Sequence, residues 1–514
     1  MKTQLTTLHN GSSTCVRTGP ELGRQPVLAP LIRILCAAGF VLSAFGAQAG
    51  VIFTSLYSFT GTNDGANPYA GLVQGSDGYF YGTTVNGGTN GGYGTVFKIS
   101  TNGVLTALYS FTGGDDGANP QAALVQGSDG SFYGTTAWGG TNGGNGTVFK
   151  INTNGVLTSL YSFTGGDDGA SPNGLVQGSD GNFCGTTSYG GNTDRTYFVQ
   201  GCGTVFKINT NGFLTSLYSF NSTNDGDCPE AGLVQGSDGY FYGTTYYGGT
   251  NGNGTVFKMD TNGALTTLCS FISSWDNSGN PQAGVVQGSD GNLYGTTGGL
   301  HRGLGQVLKK YGTVFKISTN GVLTILHLFT GGNDGANPSA SLVRGGDGNF
   351  YGTTENNDIW SGFDAGGFVG AGTVFEISTN GVLTTLYAFG SITNASGDPL
   401  DGANPAAALV QGSDGNFYGT TSGGGTFTNQ FGQGYGTIFR LTIVPEPQLA
   451  IIPYGENVIL TWPTNAFAFT LQSTTNLGSS AVWTTNSSPP VVIGGENVVI
   501  NTISGRQQFY RLSQ

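Results

Sequence analysis

The chain has 514 residues, of which 93 are glycine and 17 proline, with 9% charged residues and a formal charge of −12. Ordinary soluble domains carry roughly 25% charged residues. The acidic balance excludes a surface that tracks phosphates, which needs clustered lysine and arginine, and this much glycine leaves little room for long helices.

At the N-terminus Lys2, Arg17, Arg24 and Arg33 precede the apolar run "ILCAAGFVLSAFG" from Ile34 and the boundary Ala47-Gln48-Ala49. That layout reads as a signal peptide over residues 1–49. The apolar run is shorter than the roughly 20 residues a membrane-spanning helix needs, and no transmembrane segment is expected after cleavage. Export permits disulfides among Cys184, Cys202, Cys228 and Cys269, whose three pairings the spacing does not distinguish. With His301 and His327 the only histidines past the leader, no zinc site is expected.

From Gly50 to Val444 the sequence repeats at intervals of roughly 50 residues or more, the mark of stacked supersecondary units. "GSDGNFYGTT" at Gly412 has near copies at Gly75, Gly127, Gly178, Gly236, Gly288 and Gly345. Within the copy at Ala122–Phe163, "ALVQ", "SFYGTT", "GTVFKI" and "VLTSLYSF" read as four strands, a to d, rich in β-branched and aromatic residues. The turns "SDG" and "TNG" place Gly after Asp or Asn, where a tight hairpin needs positive φ. Asp77, Asp129, Asp180, Asp238, Asp290, Asp347 and Asp414 therefore read as turn formers, not catalytic carboxylates.

Four antiparallel strands repeated seven times avoid exposed edges when packed radially, which predicts an all-β, seven-bladed β-propeller. The segment "VIFTSLYSF" from Val51 to Phe59 is a d strand without a, b or c, and the last copy lacks d after "GTIFRL". The N-terminal strand is thus expected to complete the last blade. The a–b and c–d turns keep constant length, whereas the b–c loops hold nine, nine, fifteen, eight, fourteen, seventeen and fourteen residues. Strand alternation puts the b–c and d–a loops on one face, where binding is expected.

That face carries Trp138, Tyr189, Tyr246, Tyr247, Trp360, Phe363 and Phe431 in b–c loops, and the recurring "DGANP" in d–a loops. Aromatic platforms beside short polar side chains suit sugar rings; the same residues also serve to pack loop stems. His301 and Arg302 join the candidate ligand-binding set. No cofactor is expected; if calcium binds, Asp115, Asp116, Asp167 and Asp168 of "GGDDGANP" supply oxygen ligands, though without the D-x-D-x-D-G spacing. Glu355, Asp358 and Asp364, in the longest insertion, are the candidates for a carboxylate pair. No nucleophile elbow, P-loop or zinc motif is present.

After "VPEPQ" at Val444–Gln448, alternating runs predict a small C-terminal β-sandwich, of the immunoglobulin or fibronectin kind, over 445–514, with Trp462 and Trp483 in its core. The repeats "GLVQGSDGNFYGTT", "GTVFKI" and "TNG" resemble the GloVer tandem repeat of exported, choice-of-anchor bacterial proteins from about Val51 to Thr442. The resemblance implies export and a repeat architecture, and carries no functional residues. "VPEP" is similar to the opening of a PEP-type sorting signal, but the apolar span and arginine cluster do not follow. The expectation is a monomeric secreted or cell-surface recognition or adhesion module whose partner is extracellular glycan, with a polysaccharide-active hydrolase or lyase, or a purely structural surface protein, as the alternatives.

Overall fold

The structure, a computed structural model, describes residues 5–8, 13–16, 50–191, 201–272, 279–298, 311–356, 371–429, 432–444, 447–464, 469–475, 482–485, 489–502 and 508–513. Every regular element among them is a β-strand, and no helix is long and apolar enough to cross a membrane. The chain divides into two compact units, Phe53–Thr442, and a second that comprises Met1–Ile52 with Ile443–Gln514.

The repeats form seven four-stranded antiparallel sheets among the described residues, each ordered a-b-c-d in space as in sequence. The first holds Val73–Gln74, Phe80–Thr84, Thr95–Ile99 and Leu105–Ser110. In the last, Val410–Gln411, Phe417–Thr421 and Thr437–Val444 are joined by Gly50–Ser58 as the fourth strand. Strand b is buried along its whole length and strand c everywhere except at its Lys or equivalent, while strand d is partly exposed. Burial on both faces is what sheets packed between neighbouring sheets require, and it explains the lack of a polar face in "GTVFKI".

Apolar packing runs from repeat to repeat. Tyr81 of the first repeat stacks on Phe132 of the second at 3.9 Å, and Tyr418 of the last lies 4.1 Å from Phe80 of the first. Within the sheet, Gly82 lets the Phe97 ring of strand c lie over strand b, since a Cβ there would lie 2.6 Å from that ring. The same glycine recurs in every "GTT".

The two threonines of "GTT" have separate tasks. The second pairs with the Thr of "GTVF" across strands b and c through buried hydroxyls 2.7–2.9 Å apart in all seven sheets. The first donates to a main-chain carbonyl of strand a, or just before it, in the next repeat, from Thr83 to Pro120 through Thr353 to Ala407. Thr420 of the last repeat makes the same bond to Ala70 of the first, at 3.1 Å. Satisfying buried hydroxyls between sheets turns a desolvation penalty into registration of one repeat on its neighbour.

The constant turns carry a second link. The Gln that ends strand a accepts from the backbone N–H that follows the first Gly of "GSDG" in the preceding repeat, as Gln126 does from Ser76 at 3.0 Å. Gln177, Gln235, Gln287 and Gln411 repeat the bond, and Gln74 accepts from Ser413 of the last repeat at 2.8 Å. Between the fifth and sixth repeats the position is Arg344. Within each turn the Asp side chain accepts from the Tyr hydroxyl of strand b at 2.6–2.9 Å in six repeats. Asp180 faces Cys184 at that place instead.

In the second unit, Ala450–Tyr454, Asn457–Pro463, Glu496–Thr502 and Val491–Ile493 form one sheet. The other runs Leu5–Leu8, Ser13–Val16, Gln508–Ser513, Thr470–Thr474 and Thr484–Thr485. Val458, Leu460, Trp462 and Val499 of the first pack against Leu471, Tyr510 and Leu512 of the second. Trp483 is not in this core: it is half-buried beneath the Arg511 guanidinium, 4.3 Å from its ring centre, an arrangement in which the indole gains cation–π attraction. The stretch read as a leader holds two of these strands, with Thr14 opposite Tyr510; its apolar run and Ala-Gln-Ala boundary lie outside the described residues.

Candidate loop-end site

In six repeats, among the described residues, the b–c loop leaves strand b along the d–a loop that precedes its own sheet. Ala66 bridges Asn86, Ala118 bridges Trp138, Ala170 pairs with Tyr189, Asp227 bridges Tyr247, and Ala403 bridges Gly423. The "DGANP" aspartate sets this contact. Asp116 accepts from the Tyr109 hydroxyl at 3.0 Å, from the Thr112 N–H at 2.8 Å and from the Thr112 hydroxyl at 2.5 Å. Gly117 follows at φ +100°, where a Cβ would lie 2.1 Å from the Thr136 hydroxyl, so only glycine fits.

Because of this framework, one position in each of these six repeats is displayed at the same point of the loop end. It is Asn86 in the first repeat, Trp138, Tyr189 and Tyr247 in the second, third and fourth, Asn356 in the sixth and Gly423 in the seventh. Three consecutive repeats thus carry an aromatic side chain there. Trp138 is 54% exposed and Tyr247 39%; Tyr189 is half-buried. Tyr246 meets Tyr247 edge-on at 4.4 Å, which fixes the orientation of both rings.

A carboxylate that sequence reasoning passed over joins them. Glu230 stands where the other repeats have Tyr69, Gln121, Gln282, Ser339 and Ala406 after the Pro of the d–a loop. Glu230 is exposed at the surface, and the groups crowded around it desolvate its carboxyl and push it up to about 7, an effect that solvent screens in part. Its charge in turn raises the hydroxyls of Tyr189, Tyr246 and Tyr247, after the larger effect of their own burial; Tyr246 reaches about 12. The three tyrosines are neutral hydroxyl donors and acceptors beside this carboxyl. The signal was present in "DCPEAG", whose Glu departs from its repeat-mates. The third repeat contributes Asn173, whose amide donates to the Pro229 carbonyl at 2.6 Å. Its "SPNGLVQ" is one residue shorter than "NPQAALVQ", and strand a there runs unbroken over Ala170–Gln177.

Other candidates are placed differently. Glu355 is half-buried, accepts from the Asn337 side-chain amide, and is raised by burial. Asp168 makes the same three bonds as Asp116, while Asp115 and Asp167 are exposed. Asp115 edges a shallow groove of about 380 Å³ lined also by Thr141, Asn142, Ser159, Leu160 and Tyr161. Among the described residues no three metal-ligating side chains are grouped to hold an ion. His301, Arg302, Asp358, Trp360, Phe363, Asp364 and Phe431 lie outside the described residues.

The sheets and their loops define an all-β tandem-repeat protein. The chain belongs to the Gloeobacter/Verrucomicrobia repeat family, which matches residues 43–199, 196–362 and 308–451. No curated protein matches the chain. Among solved structures it is similar to the extracellular domains of two proteins of B. thetaiotaomicron described as hybrid two-component systems. The first is 13% identical with TM-score 0.44, covering 87% of this chain and 53% of that one. The second is 10% identical with TM-score 0.47, covering 88% and 46%. The chain therefore spans about half the length of these two. A gluconolactonase from Xanthomonas campestris is 11% identical with TM-score 0.34, covering 76% of this chain and 89% of that one.

Proposed function

We propose that the protein is a secreted or cell-surface recognition module, a closed seven-bladed β-propeller made after removal of residues 1–49, that binds extracellular glycan at its loop end. Closure is supported by the Thr420–Ala70 and Ser413–Gln74 bonds, which repeat between last and first repeats the links made elsewhere. The observation that carries the ligand reading is the run of Trp138, Tyr189 and Tyr247 at one equivalent position of three consecutive repeats, beside Glu230. Sugar rings stack their C–H faces on such rings while their hydroxyls bond to short polar groups.

A glycan array probed with the wild type, Tyr247→Ala and Trp138→Ala tests the reading. Wild-type binding to a defined glycan class, weakened about tenfold or more by either variant, is the expected result; tenfold corresponds to about 1.4 kcal/mol. Equal binding by all three proteins, or none by the wild type, would overturn it. Release of sugar that disappears in Glu355→Gln would place the protein among polysaccharide-active enzymes instead.

A further inference from the structure

We infer that Cys202 and Cys228 form an inter-repeat disulfide that clasps the third repeat to the fourth beside the loop-end site. In every repeat the residue before "GT[VI]F" accepts, through its carbonyl, from the N–H of the residue before the Pro of the next d–a loop. The pairs are Tyr93 with Asn119, Asn145 with Ser171, Cys202 with Cys228, Asn253 with Asn280, Tyr311 with Asn337, Ala371 with Asn404 and Tyr435 with Asn67, all at 2.7–3.0 Å. One of these seven junctions has cysteine at both positions. The 3.0 Å bond from the Cys228 N–H to the Cys202 carbonyl brings the two backbones side by side, as two residues must lie for the roughly 4.4–6.8 Å Cα separation that a disulfide spans; in this structure both are thiols. The neighbours confirm the close approach, since a Cβ on Gly203 would lie 2.7 Å from Cδ of Pro229. Both cysteines are buried, at 1% and 7% exposure.

The backbone supplies a second argument. Cys228 has φ 53°, in the left-handed region, where five of its six counterparts are asparagine. Asparagine tolerates that conformation through local hydrogen bonding, and cysteine does not share the advantage. A strained residue retained beside a matching cysteine points to a role for the sulfur. Cys184 and Cys269 differ: they occupy Tyr positions of strands b and d in separate sheets, and burial raises both thiols, Cys184 to about 12, which keeps them unreactive.

The oxidant is a small or protein disulfide, R–S–S–R. One cysteine thiolate attacks it, forming a mixed disulfide and releasing RS⁻; the second attacks the protein sulfur of that intermediate, releasing another RS⁻. Two protons and two electrons leave the dithiol, and R–S–S–R becomes two RSH.

The test uses the full chain refolded or expressed with glutathione disulfide, alkylated without reduction, and digested for peptide mapping. A linked peptide pair containing Cys202 and Cys228, with Cys184 and Cys269 alkylated, is expected. Reductant should lower the wild-type Tm by about 3–5 °C, given typical disulfide contributions and the size of the unit. Cys228→Asn installs the residue other repeats use, so it folds, and its Tm should not respond to reductant. Alkylation of both Cys202 and Cys228 in the oxidised protein, linkage of either to another cysteine, or an equal reductant response in Cys228→Asn would overturn the inference.

Discussion

Replacing Phe59 by alanine tests whether the N-terminal strand is a working part of the repeat unit. Phe59 is fully buried, packs edge-on against Phe97 of the first repeat at 5.4 Å, and shares a cluster with Phe80, Tyr418 and Ile438. A buried phenylalanine removes roughly 150–250 Å² from water, which at about 25 cal/mol/Å² amounts to roughly 4–6 kcal/mol; measured Phe→Ala losses of about 3–5 kcal/mol agree. For a unit of about 390 residues, spanning Phe53–Thr442, unfolding entropy near 0.8 kcal/mol/K converts roughly 4 kcal/mol into a Tm fall of about 5 °C. Phe163→Ala is the matched control, because Phe163 is equally buried and meets Phe206 of the next repeat at 5.2 Å. Scanning calorimetry of both variants should show equal losses. A wild-type Tm in Phe59→Ala alongside a fall in Phe163→Ala would refute the reasoning, since the strand would then be dispensable to the fold.

Gly117→Ala forces a Cβ to 2.1 Å from the Thr136 hydroxyl at a left-handed backbone position; a loss of roughly 3 kcal/mol in urea unfolding is expected. Tyr81→Phe deletes the 2.7 Å bond to Asp77 and should cost about 1–2 kcal/mol by the same measurement. Arg344→Gln restores the missing Gln link between the fifth and sixth repeats and should raise the urea midpoint, by about 0.5–1 kcal/mol of added stability. Glu230 is raised from 4.5 to about 7 in the folded protein, so between those pH values the unfolded chain gives up the proton first and stability falls as pH rises. Glu230 is exposed, and solvent screens part of this effect. Glu230→Gln should match the wild-type Tm near pH 4.5 and exceed it at pH 8; an unchanged difference across that range would contradict the assignment.

Much of the repeat was legible because its glycines and turn residues recur at fixed offsets and each strand carries its own composition. "SDG" and "TNG" announced hairpins, and the bare d strand at Val51–Phe59 announced its partner at Thr437–Val444. The links between repeats were not legible, because which side chain meets which carbonyl depends on the neighbouring sheet: nothing in "GTT" says that one Thr serves its own sheet and the other the next. Glu230 was missed for a related reason. Its environment is assembled from Tyr189 of one repeat and Tyr246 and Tyr247 of another, so the carboxylate looked like one more polar loop residue. Trp483 was misplaced because an aromatic in a short alternating run reads the same whether it faces a core or stacks beneath an arginine.

The links between neighbouring repeats are nearly interchangeable from one junction to the next. A recombination event that deletes or duplicates one whole unit in register would leave matching donors and acceptors at the new seam, so no particular contact fixes the number of units. The b–c loops, which range from eight to seventeen residues, can therefore lengthen or shorten without altering the hydrogen bonds that join one unit to the next.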